Sequence, residues 1–221
     1  MARTRRSPNP SQSPNTSRSR SLTLNAILDE SLRIVRDQGV TGLTMRAVAA
    51  GLGVTPMAVY YYVADKDDLL RLVVEKLSRS FGLLATQPDQ DWQDSLRRYL
   101  VNMWERSRRY PGLSTHIINQ PGLGVTPERL EAGLAFFDEV GFPSAEARLA
   151  WSFAVTYVHG RISVDAHLSH YPGVTHLDGL KARDYVEFGV DAVIIGLEEM
   201  LETTKRAPTT NIYNHSGDEA D

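Results

Sequence analysis

Apolar side chains recur along this chain at helical spacing, and residues that start and stop helices separate the runs. Thr23 can cap a first helix with Ile27, Leu28, Ile34 and Val35 on one face and Gly39 at its end. Thr44 caps a short second helix through about Gly51. Thr55, with Pro56 in the first helical position, opens a third through about Val63. Asp65 caps a fourth, which carries Leu69, Leu72, Val73 and Leu77. Beyond Pro88, Trp92, Leu96, Tyr99, Leu100, Met103 and Ser107 form one stripe. A shorter piece follows at Pro111–Asn119, then Pro127–Val140 with Leu130, Leu134 and Phe137. Ala145–His170 and Lys181–Thr203 complete the series. No stretch alternates with period two between hairpin turns. The pattern predicts an all-α protein.

Composition bounds what such a bundle does. The 221 residues contain no cysteine, which removes disulfide scaffolds, thiol nucleophiles, iron–sulfur clusters and Cys-based zinc fingers. The longest apolar runs fall far short of the roughly 18 residues that a membrane span requires, so a soluble protein is expected, and the lack of cysteine fits a reducing, cytoplasmic compartment. The net charge of −3 is unevenly spread: residues 1–80 hold 12 Lys/Arg against 7 Asp/Glu, and the remainder 12 against 20. A basic first part suits a polyanionic partner. Residues 1–21 contain five arginines, three prolines and no acid, and read as a disordered basic arm. A transit peptide is the rival, weakened by the lack of an amphipathic helix. Residues 204–221 read as a disordered tail.

The informative segment is LTMRAVAAGLGVTPMAVYYYVADKDDLL, residues 43–70. Two short helices meet at a tight turn, Gly51-Leu52-Gly53, with Val48, Ala49, Leu52, Val54 and Val59 available to pack them together. Such a unit pushes its second helix outward, where it can enter a major groove. That helix presents Thr55, Met57, Ala58, Tyr61 and Tyr62, suited to thymine methyls and phosphates, and Arg46 suits a guanine edge. Lys66, at the start of the fourth helix, can hold a phosphate beside free backbone N–H groups. The alternative is that the tyrosines simply pack a small domain. The hexapeptide Gly-Leu-Gly-Val-Thr-Pro recurs at 122–127, but its flanks do not, and neither copy completes a dinucleotide-binding GxGxxG.

This string closely resembles the DNA-binding segment of the tetracycline-repressor (TetR) family of bacterial transcriptional regulators, over about residues 22–80. The resemblance implies a three-helix helix-turn-helix head with a linking helix at 22–80. It also implies a larger effector-binding and dimerisation domain at 81–203. Carried over by position, Thr44, Arg46, Thr55, Pro56, Met57, Tyr60, Tyr61, Tyr62 and Lys66 would contact DNA, with Tyr60 partly a packing residue. The implied function is a homodimeric repressor, released from a palindromic double-stranded operator by a small-molecule effector, without cofactor or catalysis. The arm before residue 22 either tracks DNA or serves as a solubilising tail.

The second half offers physical cues only. Ala145–His170 has two apolar faces, Leu149, Phe153, Thr156 and Gly160 on one, and Trp151, Val155, Val158 and Ile162 on the other. The last helix carries Val186, Val190, Val193, Leu197 and Leu201 on one face and Gly189, Ala192 and Gly196 on another. These small residues fit a dimer interface or close packing within one subunit. Trp104, His116, Asn119, Phe136, Phe137, Trp151 and Tyr157 fall on the helices that line the effector cavity in the family, and each also fits ordinary core. His159, Asp165, His167 and His170 do not share one face, so no metal site is expected. An enzyme with a helical fold is the rival reading, without an identifiable Ser–His–Asp cluster or phosphate loop. A helical adaptor with a silent head is another.

Overall fold

The computed structural model describes residues 22–113, 116, 126–168 and 179–206. Among these residues there are eight helices and no strand. They are α1 (Leu24–Gly42), α2 (Met45–Leu52), α3 (Pro56–Tyr60), α4 (Lys66–Arg79), α5 (Trp92–Ser107), α6 (Pro127–Val140), α7 (Ser144–Leu168) and α8 (Ala182–Arg206). Asn119 and His170 lie outside the described residues, as do the basic arm and most of the Pro111–Asn119 piece.

Local capping sets the starts. The hydroxyls of Thr23, Thr44 and Thr55 accept from the backbone N–H groups of Ala26, Ala47 and Ala58 at 3.1, 3.0 and 3.4 Å. At α4 the device is reciprocal. Asp65 Oδ1 accepts from Asp68 N at 2.8 Å, and Asp68 Oδ2 accepts from Ala64 N at 3.0 Å. The Ala64 N–H, followed by the Arg71 guanidinium, holds the Asp68 carboxyl below its ordinary pKa. Replacing Asp65 with Ala is therefore expected to cost about 1 kcal/mol. Thermal denaturation would show this as a midpoint lowered by about 2–4 °C.

Two boundaries depart from the sequence expectation. The third helix stops at Tyr60, not Val63, because Tyr62 and Val63 both turn their N–H groups onto the Val59 carbonyl (2.9 and 3.3 Å), so Val63 drops into the core. The last helix continues past Thr203 to Arg206, and Lys205 and Arg206 pair with Glu202 one turn back. Within α1, Gly39 (φ +71°) breaks the regular helix at the expected stop, before a short further turn.

The head packs α1 against α2 and α4, and α2 against α3. Ile27, Ile34, Leu43, Val48, Val59, Leu69 and Val73 are buried between them. Lys76 ties α4 to α1, reaching Asp29 at 2.7 Å and Asn25 at 2.5 Å. In the second half α5 packs on α7 and α8, α6 on α7, and α7 on α8. The two halves meet where Val40 N–H donates to the Pro111 carbonyl (3.1 Å), and within the second half Asn102 donates to the Phe81 carbonyl (3.2 Å), just after α4. Among the described residues no helix is long and apolar enough to cross a membrane.

Candidate functional site

The head's outward surface is built by the α2–α3 pair. Gly53 caps α2 in the left-handed region (φ +68°), where a side chain would be strained, and Val54 N–H closes onto the Ala49 carbonyl at 2.9 Å. Val48, Ala49 and Val59 are buried behind the turn, so the pair is locked as one body. What remains faces out. Thr44, Arg46, Thr55, Pro56 and Lys66 are exposed, Met57 is 68% exposed and Tyr61 is 90% exposed.

These side chains differ in what they can still do. The Thr44 and Thr55 oxygens accept cap hydrogen bonds, which leaves each O–H able to donate to a phosphate. Arg46 offers the two-donor fork that matches a guanine edge. Met57 and Tyr61 supply apolar and aromatic surface beside it. Tyr62 stands apart from Tyr61: its hydroxyl donates to the Leu22 carbonyl at 2.5 Å and ties down the chain where it enters the head. Tyr60 is half-exposed.

The effector candidates are scattered more widely. Trp104 is buried in α5, with its indole N–H on Asp165 at 2.8 Å and Arg108 over its ring. Phe136 and Phe137 pack edge-to-face on each other, and Phe137 packs the same way on Phe142. Trp151 covers Gly133 and meets Tyr99 at 6.0 Å between ring centres. The His116 Nε2 atom is buried without a hydrogen-bond partner among the described residues. Tyr157 is directed elsewhere: it donates to the Tyr185 carbonyl at 3.0 Å and fills the space left by Gly189. Gly189 thus serves packing inside the subunit. Ala192 and Gly196 are exposed, and nothing lies within 4 Å of a Cβ built at Gly196.

Sequence reasoning passed over a polar group inside this half. The buried face of α6 is Arg129, Gly133, Phe136 and Phe137; of the expected stripe Leu130, Leu134 and Phe137, Phe137 is buried and the two leucines are half-buried. An arginine at the head of the stripe hid the helical period. Both Arg129 Nε (3.1 Å) and Nη2 (2.7 Å) donate to the Tyr99 hydroxyl. His159 on α7 is held below the ordinary histidine pKa, first by burial and then by the Arg129 charge. Of the residues weighed as metal ligands, Asp165 is engaged by Trp104 and Arg161.

Comparison with known proteins agrees with this layout. Residues 27–73 match the family model of bacterial regulatory proteins, tetR family. The chain is 30% identical over 140 residues to the HTH-type transcriptional repressor DrrR1 of Streptomyces coeruleorubidus, covering 63% of this chain and 52% of that one. It is 27% identical over 143 residues to the tetracycline repressor protein class D of Escherichia coli, covering 64% and 65%. These alignments therefore span between half and two thirds of the relatives' lengths. A TetR variant from Acinetobacter baumannii AYE, solved in complex with minocycline, shares the fold with a TM-score of 0.69 and 21% identity, covering 81% of this chain and 98% of that one. Residues 27–73 thus match the tetR family of bacterial regulatory proteins, and the described helices share the fold of a solved TetR.

Proposed function

We propose that this chain is a ligand-responsive transcriptional repressor that binds a palindromic operator as a homodimer. The observation that carries the reading is the outer surface of α2 and α3, where Thr44, Arg46, Thr55, Met57 and Tyr61 stand exposed on a buried scaffold. Two relatives are named as repressors, one of them a tetracycline repressor protein. Pairing is supported by the second half. Leu149, Phe153, Thr156 and Gly160 form an exposed face of α7, while Trp151, Val158 and Ile162 on the opposite face are buried. On α8, Phe188 (78% exposed) and Ile195 (65%) extend the apolar surface. A symmetric dimer would cover both helices and set two heads about 34–36 Å apart, one helical turn of DNA.

An effector that lowers operator affinity a hundredfold must favour the released state by roughly 2.8 kcal/mol. The bond from Val40 to Pro111 is a route by which the second domain can bear on the head.

The test starts with selection of bound fragments from genomic DNA, followed by gel-shift titration across a salt series. Steep salt dependence is expected. Replacing Arg46 with Ala should cost about 1–3 kcal/mol and relax selectivity at one base position, whereas Lys66→Ala should flatten the salt slope by roughly 1 per head. Unchanged affinity and selectivity in Arg46→Ala would remove that residue from the interface. Failure to retain any duplex at low salt would overturn the reading.

A further inference from the structure

We propose that Arg18 and Arg20, just before the head, enter the minor groove that flanks each operator half-site, and that Tyr62 fixes the point from which they reach it. The inference rests on the operator-binding reading above and adds a second DNA contact, outside the α2–α3 surface.

The positive charge of the first 80 residues does not lie on the helices. Residues 22–80 hold seven Lys/Arg and seven Asp/Glu, so the head is neutral. The whole excess belongs to Arg3, Arg5, Arg6, Arg18 and Arg20. Five of the seven cations of the head also sit beside one of its own carboxylates, such as Arg33 on Glu30 at 2.6 Å and Lys76 on Asp29 at 2.7 Å. Among the described residues of the head, Arg46 and Lys66 are the two without an ion pair. Two cations per head are few for a polyanion whose affinity grows with each phosphate neutralised. The arm offers five, with no acid to compensate them.

The structure fixes where this charge joins the head. Leu22 is the first described residue, and its carbonyl accepts from the Tyr62 hydroxyl at 2.5 Å. Thr23 then caps α1, and Lys76 holds Asn25 and Asp29 against α4. Tyr62 follows Tyr61, which is 90% exposed just past the end of α3. The chain thus meets the head beside α3, the helix offered to the major groove.

Chain length limits the nearer arginines. Arg20 is two residues from Leu22 and Arg18 four, so their Cα atoms stay within about 7 and 14 Å of it. They remain close to the DNA that α3 contacts, where the minor groove lies across a single sugar–phosphate strand. Over A·T pairs that groove is narrow and concentrates negative potential, and an arginine side chain fits where a helix does not. Between residues 43 and 64 the head has one guanidinium, that of Arg46. Arg18 and Arg20 therefore add selectivity at base pairs that α2 and α3 leave unread.

The test uses the full chain and a duplex recovered by genomic selection, with its half-sites kept and its flanks rewritten as A·T runs or as G·C. Affinity is read by gel shift across a salt series. The A·T-flanked duplex is expected to bind about tenfold more tightly, within what one altered base pair costs. Arg18→Ser with Arg20→Ser should bring that ratio to about one and flatten the salt slope by roughly 2 per head. Lysine at both positions should keep the slope and lose part of the preference, because an ammonium is more strongly hydrated than a guanidinium. Tyr62→Phe keeps the ring but frees the Leu22 carbonyl. It should lower the flank ratio about threefold, as loss of one hydrogen bond would, and should not change that ratio further when both arginines are already serine. A Tyr62→Phe variant with the full ratio overturns the anchoring role. A slope that falls in the serine variant without any flank preference in the parent places the arginines on phosphates and overturns the minor-groove assignment. Unchanged slope and ratio make the arm a solubilising tail and overturn the proposal, while selective binding by the head stands. A chain that retains no duplex overturns the head reading and the arm together.

Discussion

Phe153→Asp is expected to split the proposed dimer into single subunits and to weaken operator binding by at least about a thousandfold, the usual margin between specific and non-specific binding. Phe153 is 57% exposed on α7, on the same face as Leu149, so its loss opens no cavity in the subunit. In a two-fold interface one substitution acts twice, placing two carboxylates on the patch that must be desolvated. Desolvation costs several kcal/mol per unpaired ion, enough to exceed the stability of many dimers. A separated head retains its phosphate contacts but loses the second half-site. Sedimentation velocity would show the change in mass, and a gel-shift series the change in affinity. Circular dichroism should report the same helix content. A variant that remains dimeric would show that this face of α7 does not form the contact.

Trp151→Ala should act on the fold itself, with a loss of about 3–5 kcal/mol of stability. The indole is buried where three helices meet: it rises from α7, covers Gly133 on α6 and leans on Tyr99 of α5. Gly133 is needed for that approach, because a Cβ there would strike the ring. Removing the indole leaves a void that these helices can only partly close, so transfer and cavity contributions add. Differential scanning calorimetry should place the midpoint on the order of 10 °C lower. A loss below about 1 kcal/mol would mean that α5, α6 and α7 are held together elsewhere.

Much of the head was readable before any coordinates. The caps at Thr23, Thr44, Thr55 and Asp65 hold, because each depends on backbone N–H groups only three residues away. The two-faced character of α7 was readable for a similar reason, since faces follow from helical geometry once the helix is granted. Which face would meet its own subunit was less evident. Trp151, Val158 and Ile162 turned inward and Leu149 and Phe153 outward. The glycine stripe of α8 shows the limit well. Gly189, Ala192 and Gly196 share a spacing, yet Gly189 receives Tyr157 of its own chain while Gly196 faces open space. The tyrosine run divides in the same way, because Tyr62 finds the Leu22 carbonyl forty residues earlier.

By itself the sequence determined where the helices of the head start and which residues cap them, because these follow from interactions within a turn of chain. Only the tertiary structure decided the fate of Arg129. Its partner Tyr99 lies thirty residues away on another helix, and an arginine at the head of an apolar stripe reads locally as a solvent-facing charge. Burial is a property of the assembled layers, so the positive charge inside the second domain becomes visible only once α5, α6 and α7 are packed together.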